Sequence, residues 1–215
     1  MTAFLGLLML DTCFPRVPGD AGRPDSYAMP VRAVVVTGAS PQRVVREGDA
    51  SLLQPFIDAA RALVSQGAAA ITTSCGFLVQ HQAALQAAVA VPVWTSALLK
   101  LPELQQAGVV TVDAASLTAL HLQAAGAAPD TPVAGLAPGC LLQRTLLDNL
   151  PELDIARAEQ DVLEAATRLV QQHPAIQHVV LECTNMPPYA DAGAKATGRP
   201  VHHLLTLVHE RWKAL

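Results

Sequence analysis

Aromatic side chains make up only 4% of the 215 residues, and charged ones only 15%. The second figure is well below the ~25% of an ordinary globular chain. Disorder is nevertheless excluded, because disordered chains combine few apolar residues with high net charge. Here 51% of residues are apolar and the formal net charge is -4. A pI near 5.9 excludes the basic footprint of a nucleic-acid or membrane-surface binder. No run approaches the ~18 apolar residues of a membrane span. The apolar start lacks a positive n-region and Asp11 interrupts it, so no secretory leader is expected and a cytoplasmic location is. So few charges leave little polar surface, which favours an oligomer.

Other absences narrow the chemistry. Cys13, Cys75, Cys140 and Cys183 are far apart with no CxxC, so free thiols are expected rather than a disulfide framework. Only Lys100, Lys195 and Lys213 are present, none at a strand end, which argues against a pyridoxal Schiff base. No GxGxxG or GxxxxGK[ST] follows a strand, and the Ser-x-Gly of a nucleophile elbow is missing. The seven histidines show no ligand spacing, although His202 and His209 read as one helical face. No metal is expected.

Short apolar runs alternate with helix-like runs along the whole chain. Strands are expected at Phe4–Leu10, Ala33–Thr37, Ala70–Thr73, Pro92–Thr95, Val109–Asp113, Val133–Leu136, His178–Glu182 and Pro200–His203. The intervening helices are expected at Leu52–Ser65, Phe77–Ala88, Ala97–Gln106, Ser116–Ala125, Leu141–Asn149, Ile155–Gln172 and Leu204–Ala214. Nearly continuous apolar strands between helices predict α/β architecture with mostly parallel sheets.

A weak internal repeat refines this. Gly6-Leu-Leu-Met-Leu-Asp11 mirrors Gly108-Val-Val-Thr-Val-Asp113, and Ile71-Thr-Thr-Ser-Cys75 mirrors Val180-Leu-Glu-Cys183. The common order predicts two pseudo-symmetric lobes, residues 1–96 and 97–200, with 201–215 packing back on the first. Ligands of parallel α/β sheets bind beyond the strand carboxyl ends, where both Asp and both Cys fall. Cys75 and Cys183 are therefore expected to face one cleft, and a helix beginning at Gly76 is expected to lower the Cys75 pKa toward neutrality. Cys13 and Cys140 read as packing residues.

Two thiols on opposite sides of one carbon suit proton removal next to a carboxylate and return on the other face. Ser74, Thr184 and Asn185 offer short polar groups around them, and backbone N–H groups at both turns can hold the carboxylate. Asp11 and Asp113 are expected to orient a substrate amino group or the thiols. Arg16 or Arg32 is expected to clamp a second carboxylate, and the long segment from Pro15 to Pro30 to act as a lid.

These residues carry a family resemblance across essentially the whole chain. Leu10-Asp11-Thr12, Thr73-Ser-Cys75-Gly76 and Glu182-Cys183-Thr-Asn-Met-Pro-Pro-Tyr189 resemble the aspartate/glutamate/hydantoin racemase superfamily. The resemblance implies two α/β lobes, frequent homodimers and cofactor-independent proton transfer on a small carboxylate or amino acid such as aspartate or glutamate. It implies Cys75 and Cys183 as the acid/base pair, Asp11 and Thr12 lining the cleft, and Thr184 and Asn185 contacting substrate. Glutamate racemases carry Cys-Asn-Thr and Cys-Thr-His; here the places read Cys75-Gly76-Phe77 and Cys183-Thr184-Asn185. Arylmalonate decarboxylases keep only the second thiol, so two thiols favour racemisation. A decarboxylase or other C–C lyase, a cis–trans isomerase and a non-catalytic two-lobed binder remain alternatives.

Overall fold

The computed structural model describes residues 3–215. Among these residues, β1 (Phe4–Leu10), β2 (Val31–Val36), β3 (Ala68–Thr73) and β4 (Val93–Trp94) form one sheet in the order β2-β1-β3-β4. A second sheet holds β5 (Ala107–Thr111), β6 (Val133–Gly135), β7 (His178–Leu181) and β8 (Val201–His202) in the order β6-β5-β7-β8. All pairings are parallel, and the second sheet repeats the first strand for strand. The fold is thus a pair of parallel α/β lobes, as the alternating pattern predicted.

Each lobe is sealed by an amphipathic helix behind its central strands. In α1 (Leu53–Ser65), Phe56, Ala60 and Leu63 are buried on one face. In α5 (Ile155–Gln172), Ala158, Val162, Ala165 and Leu169 do the same, and Asp154 caps the start by accepting from the Arg157 amide. The repeat is visible in the packing. A Cβ on Gly6 would lie 2.6 Å from Ile71 Cδ1 and 3.0 Å from Leu63 Cδ1. One on Gly108 would lie 2.4 Å from Ile176 Cδ1 and 3.0 Å from Leu169 Cδ2. In both lobes glycine makes room for an Ile–Leu pair between strand and helix.

Several details differ from expectation. The run expected as one helix after Cys75 is a 3-10 segment, Gly76–His81, followed by α2 (Gln82–Ala88). The run after Ser96 is 3-10 as well and contains Pro102, which cannot donate to an α-helical ladder. α3 (Ala119–Ala124) and α4 (Leu141–Leu147) are shorter than expected. α6 (Ala190–Thr197) arises from Ala-Asp-Ala-Gly-Ala-Lys-Ala-Thr, which has almost no apolar period to read. His202 lies on β8 while His209 lies on α7 (Leu204–Trp212), so they share no helical face. His202 instead meets His178 at 3.2 Å.

α7 packs on the 3-10 segment Ala97–Glu103, where Arg211 donates to the Leu99 carbonyl and Lys100 pairs with Glu210 at 2.6 Å. The Ala28 amide donates to His209 Nε2, which ties α7 to the segment before β2. Among the described residues no helix is long and apolar enough to cross a membrane.

Candidate active site

The cleft lies at the carboxyl ends of both sheets. Cys75 follows β3 by two residues and Cys183 follows β7 by two, so the repeat delivers the thiols to equivalent places. Both line one cleft with about 360 Å³ of free volume, its open mouth included, and each residue is 7% exposed. Most of the wall is apolar, from Leu10, Phe14, Phe77, Val112, Leu146 and Leu147; Ser74, Glu182, Thr184 and Asn185 supply the polar side chains.

The two thiol turns are bonded to each other. Thr184 donates its hydroxyl to the Ser74 carbonyl at 2.6 Å, while Ser74 Oγ accepts the Leu10 amide at 2.9 Å. Thr73 Oγ1 donates toward the carbonyls of Cys75 and Thr95, which fixes the first turn from below. Cys183 Sγ lies 3.6 Å from Asn185 Oδ1. Asn185 in turn donates through Nδ2 to Asp20 Oδ2 at 2.6 Å. Asp20, buried itself, accepts from the Gly22 amide and pairs with Arg16 at 2.9 Å. Arg16 also donates to Thr12 Oγ1, and its guanidinium lies over the Phe14 ring. The chain after β1 thus crosses to the second lobe, where the Ala21 amide donates to the Thr184 carbonyl. It forms a strap bonded to the second lobe.

Burial governs the electrostatics. It pushes the Cys75 thiol up to about 12, aided by nearby Glu182 and opposed by the Phe77 and Leu78 amides. Burial likewise holds Cys183 well above the usual thiol range; Glu182 and Cys75 add to that effect, while the Asn185 amide opposes it. The expected thiolate near neutrality is therefore not found. The amides are in place, but desolvation outweighs them. Glu182 is fully buried, and burial raises its carboxyl to about 8 although Thr111 donates to Oε2 at 2.8 Å.

The chain is 29% identical to a dimethylsulfoniopropionate lyase from Durusdinium sp. clade D over 93% of its own length and 71% of that protein. It is also 29% identical to dimethylsulfoniopropionate lyase 3 of Emiliania huxleyi, over 94% of its length but only 57% of that relative. No family model matches the chain. Among solved structures, arylmalonate decarboxylase superposes with a TM-score of 0.62 at 18% identity, over 92% of this chain and 86% of the other. Allantoin racemase from Pseudomonas fluorescens gives 0.58 at 15% identity, over 98% and 90%. A glutamate racemase isoform from Bacillus anthracis gives 0.57 at 17% identity, over 97% and 82%. The chain shares its two-lobed fold with this decarboxylase and these racemases.

Within this racemase-type fold, Cys75, Cys183, Ser74, Gly76, Thr184 and Asn185 all line the cleft. Asp11, Thr12 and Arg16 do not. Asp11 is exposed and accepts the Gly38 amide, Thr12 answers Arg16, and Arg16 is spent on Asp20. Asp113 accepts from Ala115 and Ser116 in the turn after β5, and Arg32 lies over Phe4 at the far end of the sheet. Sequence reasoning missed Glu182 and Asp20. Glu182 was legible as the one carboxylate inside the second thiol motif, whereas Asp20 sits in a Pro/Gly loop with no local signal.

Proposed function

We propose that the protein is a lyase that removes an α-proton from a small carboxylate and expels a β-substituent, with dimethylsulfoniopropionate as the substrate type. The observation that carries this is the apolar wall around paired thiols. An amino acid brings an ammonium group with three N–H donors that need acceptors, and burial without them is costly. A dimethylsulfonium group brings a cation without N–H donors, and methyl surface that matches Leu10, Phe77, Leu146 and Leu147. The names of the sequence relatives support the same substrate type.

In the proposed reaction one thiolate takes the α-proton. The C–H electron pair passes toward the carboxylate, which is held by the Ser74 hydroxyl and turn amides. Return of that pair forms the C=C bond, and dimethyl sulfide leaves with the C–S pair. The products are acrylate, dimethyl sulfide and a thiol, which must release its proton before the next turnover. A sulfonium beside Cys75 and Cys183 favours the thiolate and so offsets the desolvation that holds both thiols neutral.

Racemisation is the second reading, favoured by two thiols at equivalent places in repeated lobes. One experiment separates them: dimethylsulfoniopropionate, aspartate and glutamate are each incubated in D2O and followed by proton NMR. Acrylate formation is expected from the first. Loss of an amino-acid α-proton signal without acrylate formation from the sulfonium compound would establish racemisation instead; no change in any sample would overturn both.

A further inference from the structure

Glu182 is fully buried, yet its Oε1 has no hydrogen-bond partner among the described residues. Oε2 is satisfied by the Thr111 hydroxyl. The free oxygen lies against the first thiol turn: a Cβ on Gly76 would be 2.3 Å from Oε1 and 2.3 Å from the Glu182 carbonyl. No side chain other than glycine leaves that oxygen its place. Glu182 lines the same cleft as both thiols, and its charge acts on each of them. A native protein rarely leaves such an atom orphaned without a use for it.

Among the described residues, no cation acts on Glu182. Thr111 faces it from β5, Cys75 and Gly76 from the turn after β3, and Cys183 from its own turn. The guanidinium of Arg16, whose charge reaches Cys75, is already paired with Asp20. A bare carboxylate with one hydrogen bond in such a place is costly, so the side chain keeps its proton.

We propose that Glu182 is a catalytic residue, the neutral acid whose Oε1–H donates to a carboxylate oxygen of the substrate while a thiolate removes the α-proton. The proposal deepens the carbon-acid reading above and rests on it. The α-proton goes to sulfur and the C–H pair becomes an enediolate. The Glu182 proton stays on Glu182 but is shared more strongly with the enediolate oxygen. When the β-substituent leaves with its bonding pair, the enediolate returns to carboxylate. A carboxyl raised to about 8 by burial suits this role, because it remains a donor at neutral pH.

The test has two arms. Glu182→Leu is expected to lower kcat by about 10²–10³-fold, the usual cost of one lost donor to a developing oxyanion. Wild type is expected to show an alkaline fall in rate near pH 8; Glu182→Gln keeps a donor, and it is expected to retain most of kcat and to lack that fall. Wild-type kcat in the Leu variant, or an unchanged alkaline limb in the Gln variant, overturns the proposal. The second arm needs no turnover and no variant. Propionate is added to wild-type protein at pH 7, and the infrared difference spectrum is expected to show a protonated carboxyl band that shifts. A spectrum without such a band overturns the proposal even if acrylate is formed. A shifting band without acrylate formation from dimethylsulfoniopropionate sinks the lyase reading and leaves the acid in place.

Discussion

Thr184 Oγ1 donates to the Ser74 carbonyl at 2.6 Å, a bond between residues 110 positions apart that joins the two thiol turns directly. Removing it by Thr184→Val leaves a buried carbonyl unpaired, at a cost of about 1–3 kcal/mol. Activity is expected to fall more than stability does, since small misplacements of reacting groups are costly. Thr184→Ser should restore both. Steady-state kinetics beside thermal melts will show whether the two effects separate.

Gly76→Ala places a methyl group 2.3 Å from a backbone carbonyl as well as from a carboxyl oxygen. Gly6→Ala meets only side-chain ends, Ile71 Cδ1 and Leu63 Cδ1. The first change is therefore expected to lower Tm more than the second, although overpacking of either kind typically costs about 1–3 kcal/mol. Equal Tm values for the two variants would show that the turn yields as easily as the core.

Thiol reactivity should follow burial. Cys13 is exposed, Cys140 half-buried, and Cys75 and Cys183 are buried with raised pKa values. Iodoacetamide at neutral pH is expected to modify Cys13 first and the cleft pair last, because the thiolate is the reacting form. Peptide mass spectrometry over a time course checks the order.

Glu182 gives stability a definite pH dependence. Its folded pKa of about 8 lies above the ordinary carboxyl value of 4.5, so the folded chain binds the proton more tightly than the unfolded one. The contribution is complete below the unfolded pKa and drains away as pH rises toward 8. Glu182→Gln removes the titration. The Tm of the variant should therefore change less than that of wild type between about pH 5 and 8.

Much of this was written in the chain. All eight expected strands occur among the described residues with small shifts at their ends, because buried parallel strands are nearly all apolar and stand out between helices. The Gly–Asp and Cys repeats located both sheets and both thiols for the same reason: each marks the mouth of an equivalent strand. What stayed hidden depends on burial and long-range partners. Asp11 resembles a site residue by position, but its carboxylate is held outside the cleft by Gly38. Cys75 follows the motif of a reactive thiol, yet burial, and after it distant Glu182, raises its pKa. Asp20 could not be found at all, because its partner Asn185 is 165 positions away.

The strap from Thr12 to Tyr27 has one further consequence. Duplicated lobes with the same strand order would build a cleft whose two walls are interchangeable, and a flat intermediate could then be attacked equally from either side. The strap bonds to the second lobe, through Asp20 on Asn185, Ala21 on Thr184 and Cys13 on Asn149. Together with the unlike turns Cys75-Gly76-Phe77 and Cys183-Thr184-Asn185, it makes left and right chemically different places for the same molecule.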